Sequence, residues 1–441
     1  MMIYDSIIQN YSVGGTMKNN IFFPADILLP DKNKVDYSKF SVIACDQYTS
    51  EPEYWEKAKK CADEKYSAYN IILPEVYLSS DVDAYTEKIT AAMQDYLKNL
   101  FFTYGNRMIY VERTLPSNGK IRRGIVGMID LEMYDYNKGS TSAIRATEGT
   151  VLERIPPRVK IRKDAAVESP HVMLFCDEPE KTVIEPLADK IDTLEKAYDF
   201  DLMCGGGNIK GYFLPSKEIQ RIDDAICDLA DIEKFNAKYG VNEENALVFA
   251  VGDGNHSLAT AKACYENLKE KIGEDAKKSL ARYALVELVN IHDESIEFEP
   301  IYRIIMNVEP IKVINELEKF CDITFEKPDC KYYKYDFYTE EESGEIYIKN
   351  PSSSLPVGEI QNFLFEFAKK YPECEIDYIH GVENLKNLAK EEYCIGFIFD
   401  GMRKDELFYS VIKDGALPRK TFSMGHADDK RFYLECRKIA E

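Results

Sequence analysis

The segment that most constrains the fold is ALVFAVGDGNHSLATAKACYENL at residues 246–268, which predicts a strand, a tight turn and a helix in that order. Ala246–Val251 is a short apolar run typical of a buried strand. Gly252–Gly254 ends the strand, because glycine adopts backbone angles that other residues avoid. Asn255 or Ser257 can then cap a helix. The apolar residues that recur at helical spacing are Leu258, Ala261, Tyr265 and Leu268.

Polar side chains cluster at the predicted carboxyl end of this strand. Asp253, Asn255 and His256 lie where ligands commonly bind in α/β sheets, and a helix amino terminus offers N–H groups and positive dipole to a phosphate. Two interpretations stay open, since Asp-Gly and Gly-Asn are also ordinary turn dipeptides and Asp or Asn before a helix is an ordinary cap. A structural turn does not need an imidazole beside a carboxylate, and this favours a functional site.

Length and charge limit the classes of protein that the chain can belong to. It has 441 residues, and because single cores stop growing near roughly 250–300 residues, two or three domains are expected. The formal net charge of −21 repels nucleic acid and anionic membranes, so we expect neither as a partner, and a bound anion needs a local basic site. No apolar run approaches the roughly 18 residues of a membrane span. The 11 cysteines form no C-x-x-C pair, and the start of the chain lacks a signal-peptide pattern, which together predict a cytoplasmic protein with reduced thiols.

Apolar periodicity along the rest of the chain predicts an α/β fold of the mixed α+β kind. The expected helices lie at 81–101, 185–200, 216–238, 311–320, 358–370 and 382–391, and the expected strands at Phe40–Cys45, Ala281–Asn290, 332–348 and Ile395–Phe399. Residues 1–17 are expected to be a flexible extension. A break near 300–310 predicts a core over 18–305 and a C-terminal α/β region over 306–441 that packs back on the core.

A second informative segment is IRATEGTVLERIPPRVKIRKD at residues 144–164. From Arg154 to Lys163 it carries five basic residues and no acidic one, and Glu148 and Thr150 precede this stretch. A stiff basic loop of this kind is suited to clamping phosphates. The alternative is a solvated edge strand protected by its lysines and arginines.

A third segment, LPRKTFSMG at 417–425, places Lys420 beside Thr421. This pair can contact a phosphate, but the preceding glycines of a Walker motif are missing, and the spacing by itself favours an ordinary strand. The five histidines show no paired metal-ligand spacing, so a structural zinc is not expected. Ser257 does not lie in a nucleophile elbow, which argues against serine hydrolase chemistry.

Taken together, the three segments resemble a large, mostly bacterial family known as domain of unknown function 1015. Its signature, Asp-Gly-His-His-Arg before a helix, stands here as Asp253-Gly254-Asn255-His256-Ser257. The family's acidic residue and threonine match Glu148 and Thr150, and its late Pro-x-Lys-Ser/Thr element matches Pro418, Lys420 and Thr421. The resemblance covers nearly all of residues 18–441. Because Ser257 replaces the family's arginine, another basic residue has to supply the phosphate contact that is lost.

The family's Asp-Gly-His motif is similar to that of the ParB/sulfiredoxin-like superfamily, which includes free-serine kinases and nucleotide-hydrolysing partition proteins. The resemblance therefore implies a ParB/sulfiredoxin-like nucleotide-binding core with an additional C-terminal α/β region. It also implies a phosphotransferase that uses Mg²⁺ and a nucleoside phosphate, ATP or ADP, on a small hydroxylated metabolite. The alternatives are a non-catalytic nucleotide-binding regulatory protein and a hydrolase that uses Asp253 and His256 as an acid–base pair.

Under the phosphotransferase hypothesis each candidate residue has a role. Asp253, His256 and Glu148 are the catalytic candidates, with Asp253 holding the metal or the acceptor and Glu148 acting as base. The expected cofactor-binding residues are Gly252, Gly254, Asn255, Ser257, Arg145, Thr150, Lys420 and Thr421. Since such a transferase needs an acid, a metal carboxylate and a cation around one small volume, we expect Glu148, Asp253 and Lys420 to line a common cleft with residues 154–163 at its rim. The expected partner is the small-molecule substrate, and a homodimer is left open.

Overall fold

The computed structural model describes residues 17–78, 82–149, 155–169 and 171–440, and these form two compact units. The first unit contains the described residues up to Ile296 together with those from His426 onwards, and the second unit is Glu297–Gly425. The expected extension at residues 1–17 therefore lies outside the described residues except for Met17. Thr150 and Arg154 also lie outside them.

Strands and helices alternate along much of the chain. The strands are β1 (Phe22–Phe23), β2 (Ala25–Pro30), β3 (Val42–Ile43), β4 (Phe101–Arg107), β5 (Ile109–Thr114), β6 (Ile121–Asp130), β7 (Tyr134–Asp135), β8 (Ile144–Ala146), β9 (Val167–Glu168), β10 (Met173–Cys176), β11 (Glu195–Asp201), β12 (Asn208–Phe213), β13 (Phe249–Asp253), β14 (Tyr283–Asn290), β15 (Phe298–Met306), β16 (Ile323–Thr324), β17 (Tyr332–Tyr338), β18 (Ser343–Lys349), β19 (Glu375–His380), β20 (Ile395–Phe399), β21 (Phe422–Met424), β22 (Phe432–Tyr433) and β23 (Cys436–Lys438). The α-helices are α1 (Tyr37–Phe40), α2 (Pro52–Cys61), α3 (Val82–Asn99), α4 (Ile155–Arg162), α5 (Ser216–Leu229), α6 (Ile232–Tyr239), α7 (Asn255–Ile272), α8 (Pro310–Phe320), α9 (Pro356–Lys370), α10 (Val382–Leu388) and α11 (Glu406–Asp414). The expected mixed α/β class is confirmed.

The first unit is built on a large mixed sheet with the strand order β11-β12-β5-β6-β14-β10-β13-β8-β7, and β1 pairs with β6. β13 runs parallel to β8 and antiparallel to β10, whereas β10 runs parallel to β14. The central strands are apolar and buried along most of their length, as expected for a sheet covered on both faces. Two small sheets, β4-β2-β23-β9 and β22-β3, bring the last strands of the chain into this unit.

The second unit has its own antiparallel sheet with the order β16-β18-β17-β20-β15-β19, and β21 pairs with β15. The alternation expected over 332–348 is confirmed as the β17–β18 hairpin, in which Tyr335 and Phe337 are buried between more exposed neighbours. Helix α9 buries an apolar face that includes Ile360, Phe363 and Phe367. In neither unit is a described helix both long and apolar enough to span a bilayer.

Three local predictions were wrong for identifiable reasons. The helix expected over 185–200 ends as a 3₁₀-helix at Thr193, because the following residues pair with β12 as strand β11. The basic stretch is neither the stiff loop expected for it nor the alternative edge strand, because residues 155–162 form helix α4. Pro156 and Pro157 lie in the first turn of this helix, where proline is tolerated. The helix cap expected at Asn255 or Ser257 is Gly254.

The packing of Gly252 in strand β13 leads to a testable prediction. A Cβ atom built on this residue would lie 2.5 Å from the ring of Phe175, which is fully buried. Replacement by alanine therefore overpacks the sheet, and we expect Gly252→Ala to lower the free energy of unfolding by about 1–3 kcal/mol in urea denaturation. Gly149→Ala is the matched control, because no described atom lies within 4 Å of its added methyl group. Equal stability of the two variants would contradict this packing account.

Candidate functional site

The turn after β13 has a geometry that only glycine adopts easily. Gly254 has φ of +79°, and a Cβ atom there would lie 3.0 Å from the Cα atom of Val172. Because this residue is the N-cap of α7, no side chain caps the helix. The amino terminus of an 18-residue helix thus lies at the carboxyl end of a buried strand without a capping side chain, which is the arrangement that suits an anion.

The segment that carries Glu148 reaches the same edge of the sheet. β8 and β13 are parallel with Ala146 opposite Val251, so Glu148 and Asp253 each follow this pair by two residues. The side-chain amide of Asn255 donates a hydrogen bond of 3.3 Å to the Thr147 hydroxyl, which ties the two strand ends together. The Asn255 Oδ1 atom is buried and accepts no hydrogen bond from any described residue.

A cation that sequence analysis did not identify lies beside Asp253. The Lys430 ammonium is 3.2 Å from Asp253 Oδ2, and the backbone N–H of Gly254 donates to Asp253 Oδ1 at 2.9 Å. Both side chains of the ion pair are largely buried, with exposed fractions of 14% for Lys430 and 16% for Asp253. The structure thus brings a positive charge to the Asp253 loop, where position 257 carries a serine.

A buried histidine lies next to the first turn of α7. His171 Nε2 is 3.4 Å from Asp46 Oδ2 and 3.4 Å from the Ser257 hydroxyl, and its Nδ1 is 2.7 Å from the Tyr433 hydroxyl. Burial by itself lowers the pKa of His171, but the charge of Asp46 and the hydrogen bond to it raise that pKa above its ordinary value. Burial likewise raises the pKa of Asp46, and His171 more than offsets this, so that the carboxyl pKa falls below its usual range.

The His171–Asp46 pair predicts a pH dependence of stability. A histidine whose pKa is raised by folding stabilises the native state fully below its unfolded pKa of about 6.5, and this contribution is lost as pH rises through the higher folded value. We therefore expect the urea midpoint of the wild type to fall as the pH rises above about 6.5. His171→Gln and Asp46→Asn should each flatten this fall. An unchanged pH profile in both variants would contradict the assigned shift.

Behind His171 lies a cavity of about 170 Å³ in the first unit. Its wall is mainly apolar and includes Ile71, Leu73, Met93, Val172, Leu258 and Leu285. His171 and Ser257 form part of its polar lining. The same turn of α7 therefore contributes to the cavity wall and follows directly after the Asp253 loop.

The other predicted site residues lie in different surroundings. Arg145 is buried on β8, where its guanidinium lies 3.6 Å from a Glu243 carboxylate oxygen and donates to the Ser142 carbonyl. In the second unit, Lys420 is exposed and the buried Thr421 hydroxyl donates to the Pro418 carbonyl at 2.6 Å. The roles in phosphate binding expected for these residues, and the common cleft with Lys420, stay predictions.

The basic stretch forms ion pairs within the first unit. Arg158 is paired with Glu75, and Arg162 lies 2.5 Å from Glu168. Both arginines border the His171 cavity. The rim that residues 154–163 are expected to form around a cleft of Glu148, Asp253 and Lys420 stays a prediction.

The comparisons with known proteins identify the family. A family model described as "Protein of unknown function (DUF1015)" matches residues 28–364. The chain belongs to the DUF1015 family. No curated protein is significantly similar to this DUF1015 protein in sequence.

Several solved structures share a distant likeness with the DUF1015 protein. A free serine kinase in complex with AMP has 11% identity and a TM-score of 0.36, with 71% of this chain and 91% of that chain covered. A conserved hypothetical protein from Pyrococcus furiosus has 12% identity and a TM-score of 0.34, with 71% of this chain and 94% of that chain covered. SbnI from Staphylococcus aureus, truncated at its C-terminus, has 8% identity and a TM-score of 0.34, with 72% of this chain and 83% of that chain covered. Likenesses of this size do not establish a shared activity, and the ParB-like description of the core stays a prediction.

Proposed function

We propose that this DUF1015 protein binds a nucleoside triphosphate at the Asp253 loop and transfers a phosphoryl group to the hydroxyl of a small metabolite. The observation that carries the proposal is the Asp253–Lys430 ion pair at the amino terminus of α7, a helix that no side chain caps. An ion pair that is largely buried at a helix amino terminus combines a cation and helix dipole for phosphate with a carboxylate for the reacting groups.

Phosphoryl transfer depends on positioning and on neutralisation of charge. In the proposed step the acceptor hydroxyl oxygen attacks the terminal phosphorus while the bond from that phosphorus to the bridging oxygen of the diphosphate breaks. The products are a phosphomonoester and a nucleoside diphosphate, and the hydroxyl proton passes to the Glu148 carboxylate. Lys430 and the first turn of α7 hold the phosphate oxygens, and Asp253 fixes the position of Lys430.

The residues at the loop fit a magnesium ion that arrives with the nucleotide. Among the described residues no three His, Cys, Asp or Glu side chains are grouped to hold a metal by themselves. Mg²⁺ in kinases is usually bound by one or two carboxylates together with substrate phosphates. Asp253 and the unpaired Asn255 Oδ1 atom are oxygen donors of the required kind, and the ion would neutralise charge on the phosphates.

A thermal-shift screen with ATP and ADP, with and without magnesium, tests the proposal. Binding at 100 times the dissociation constant stabilises a protein by about 2.7 kcal/mol, so we expect a clear rise in the melting temperature. Lys430→Gln should remove most of this rise. Lys278→Gln, which removes an exposed lysine paired with Asp275, is the matched control and should keep it. Absence of stabilisation by any nucleotide, or equal stabilisation of the two variants, would count against the proposal.

A further inference from the structure

We infer that the cavity behind His171 binds a small molecule with a compact apolar body and a single hydroxyl group. This inference rests on the proposed function, in which the molecule is the phosphoryl acceptor. It assigns the chemical class of that acceptor from the cavity alone, and it excludes sugars, polyols and nucleosides as acceptors.

The size of the cavity limits the part of a ligand that it can enclose. An engineered protein cavity of about 150 Å³ takes up benzene. At about 170 Å³, this cavity has room for one aromatic ring or a branched aliphatic group with a small substituent. A sugar or a nucleoside presents polar atoms around its whole surface, and the apolar wall formed by residues such as Leu73, Met93 and Leu285 would leave these atoms without partners.

Charged side chains in the wall are already paired. Arg158 is paired with Glu75, and the buried Glu168 is held between Arg162 at 2.5 Å and Arg437 at 2.8 Å. An ionic ligand body would have to compete with these ion pairs, whereas an apolar body leaves them intact. The wall therefore selects a body without charge.

A hydroxyl partner is present at one side of the cavity. The Ser257 hydroxyl and His171 Nε2 lie 3.4 Å apart, which is longer than a strong hydrogen bond, so an inserted hydroxyl can bond with both. Ser257 follows Gly254 by three residues, and this spacing corresponds to about 5 Å along a helix axis. A hydroxyl bound to Ser257 thus lies within about one helical turn of the proposed phosphate site.

Isothermal titration calorimetry of the full-length protein with benzyl alcohol, toluene and glycerol tests the inference without any nucleotide. We expect saturable binding of benzyl alcohol, binding of toluene that is weaker by about fivefold because it lacks the hydroxyl, and no binding of glycerol. Ser257→Ala should weaken the binding of benzyl alcohol to the affinity of toluene and should leave the affinity for toluene unchanged.

A matched pair of substitutions on α7 locates the binding. Ala261 lines the cavity and is buried, so Ala261→Leu fills the space and should weaken both aromatic probes by more than about tenfold. Ala263 is half-buried on the same helix outside the cavity wall, and Ala263→Leu should bind as the wild type does. Circular dichroism checks that both variants fold. If Ala261→Leu does not fold, the effect of Ser257→Ala on the binding of benzyl alcohol decides whether the probe binds in the cavity.

The inference is overturned by glycerol binding as tightly as benzyl alcohol, by absence of saturable binding, or by equal binding to Ala261→Leu and Ala263→Leu. Titration of the same samples with ADP distinguishes failure of the inference about the cavity from failure of the proposed nucleotide-dependent function. Nucleotide binding without alcohol binding overturns the acceptor class and leaves the nucleotide site standing. Alcohol binding without nucleotide binding overturns the role as a phosphoryl acceptor.

Discussion

Asp253→Asn is expected to reduce the production of ADP from ATP, with magnesium and benzyl alcohol as the phosphoryl acceptor, by about 100-fold or more, as is typical when one preorganised charged or polar contact is removed from a reacting centre. The amide keeps an oxygen that can accept from the Gly254 N–H, so the turn itself should persist. What the substitution removes is the negative charge that positions Lys430. We therefore expect a melting temperature close to that of the wild type together with a large loss of turnover.

Asp275→Asn is the control for this experiment, because Asp275 is an exposed carboxylate paired with Lys278. It should leave turnover unchanged. An Asp253→Asn protein that unfolds would show that the carboxylate has a structural role in the turn. Wild-type turnover in Asp253→Asn would remove Asp253 from the proposed mechanism.

Arg431→Met is expected to give the largest loss of stability. The Arg431 guanidinium lies between two buried carboxylates, with Nε 2.7 Å from Glu287 and Nη2 2.8 Å from Glu435. Removing the cation leaves both carboxylates buried without their shared partner, and breaking a buried pair in this way costs roughly 3–5 kcal/mol. Urea denaturation of the full-length protein, followed by tryptophan fluorescence of Trp55 in the first unit, measures the loss.

Lys234→Met is the control for Arg431→Met. Lys234 belongs to the same unit and is paired with Asp228 at the surface, where an ion pair contributes less than about 1 kcal/mol. Similar losses in the two variants would show that the buried network contributes no more than a surface pair. A loss confined to Arg431→Met would explain why the last residues of the chain return to the first unit.

Local structure could be predicted from the sequence wherever periodicity and turn chemistry agree. The segment from Phe249 to Ile272 forms the expected strand, glycine turn and helix, since an apolar run, a residue that tolerates positive φ and a helical apolar face follow one another directly. Helix α3 is confirmed within the expected 81–101, with Ile89, Met93 and Tyr96 on its buried face. These features depend on neighbours in sequence.

The partners of the loop could not be predicted, because they come from distant parts of the chain. Lys430 lies 177 residues beyond Asp253, and nothing in its local sequence marks it as a ligand. Asp46 directly follows the expected strand Phe40–Cys45, and neither its neighbours nor the spacing of His171 from the other histidines marks a site. The family resemblance implies that a cation is needed near Ser257, but a single sequence does not show which lysine or arginine the fold brings there.

A crystal structure of the full-length protein with ADP and magnesium tests the central claim most directly. We expect the diphosphate to lie at the amino terminus of α7, with a phosphate oxygen within hydrogen-bond distance of the Lys430 ammonium and of a first-turn N–H group. A nucleotide bound elsewhere in the molecule, with Lys430 still paired only with Asp253, would contradict it.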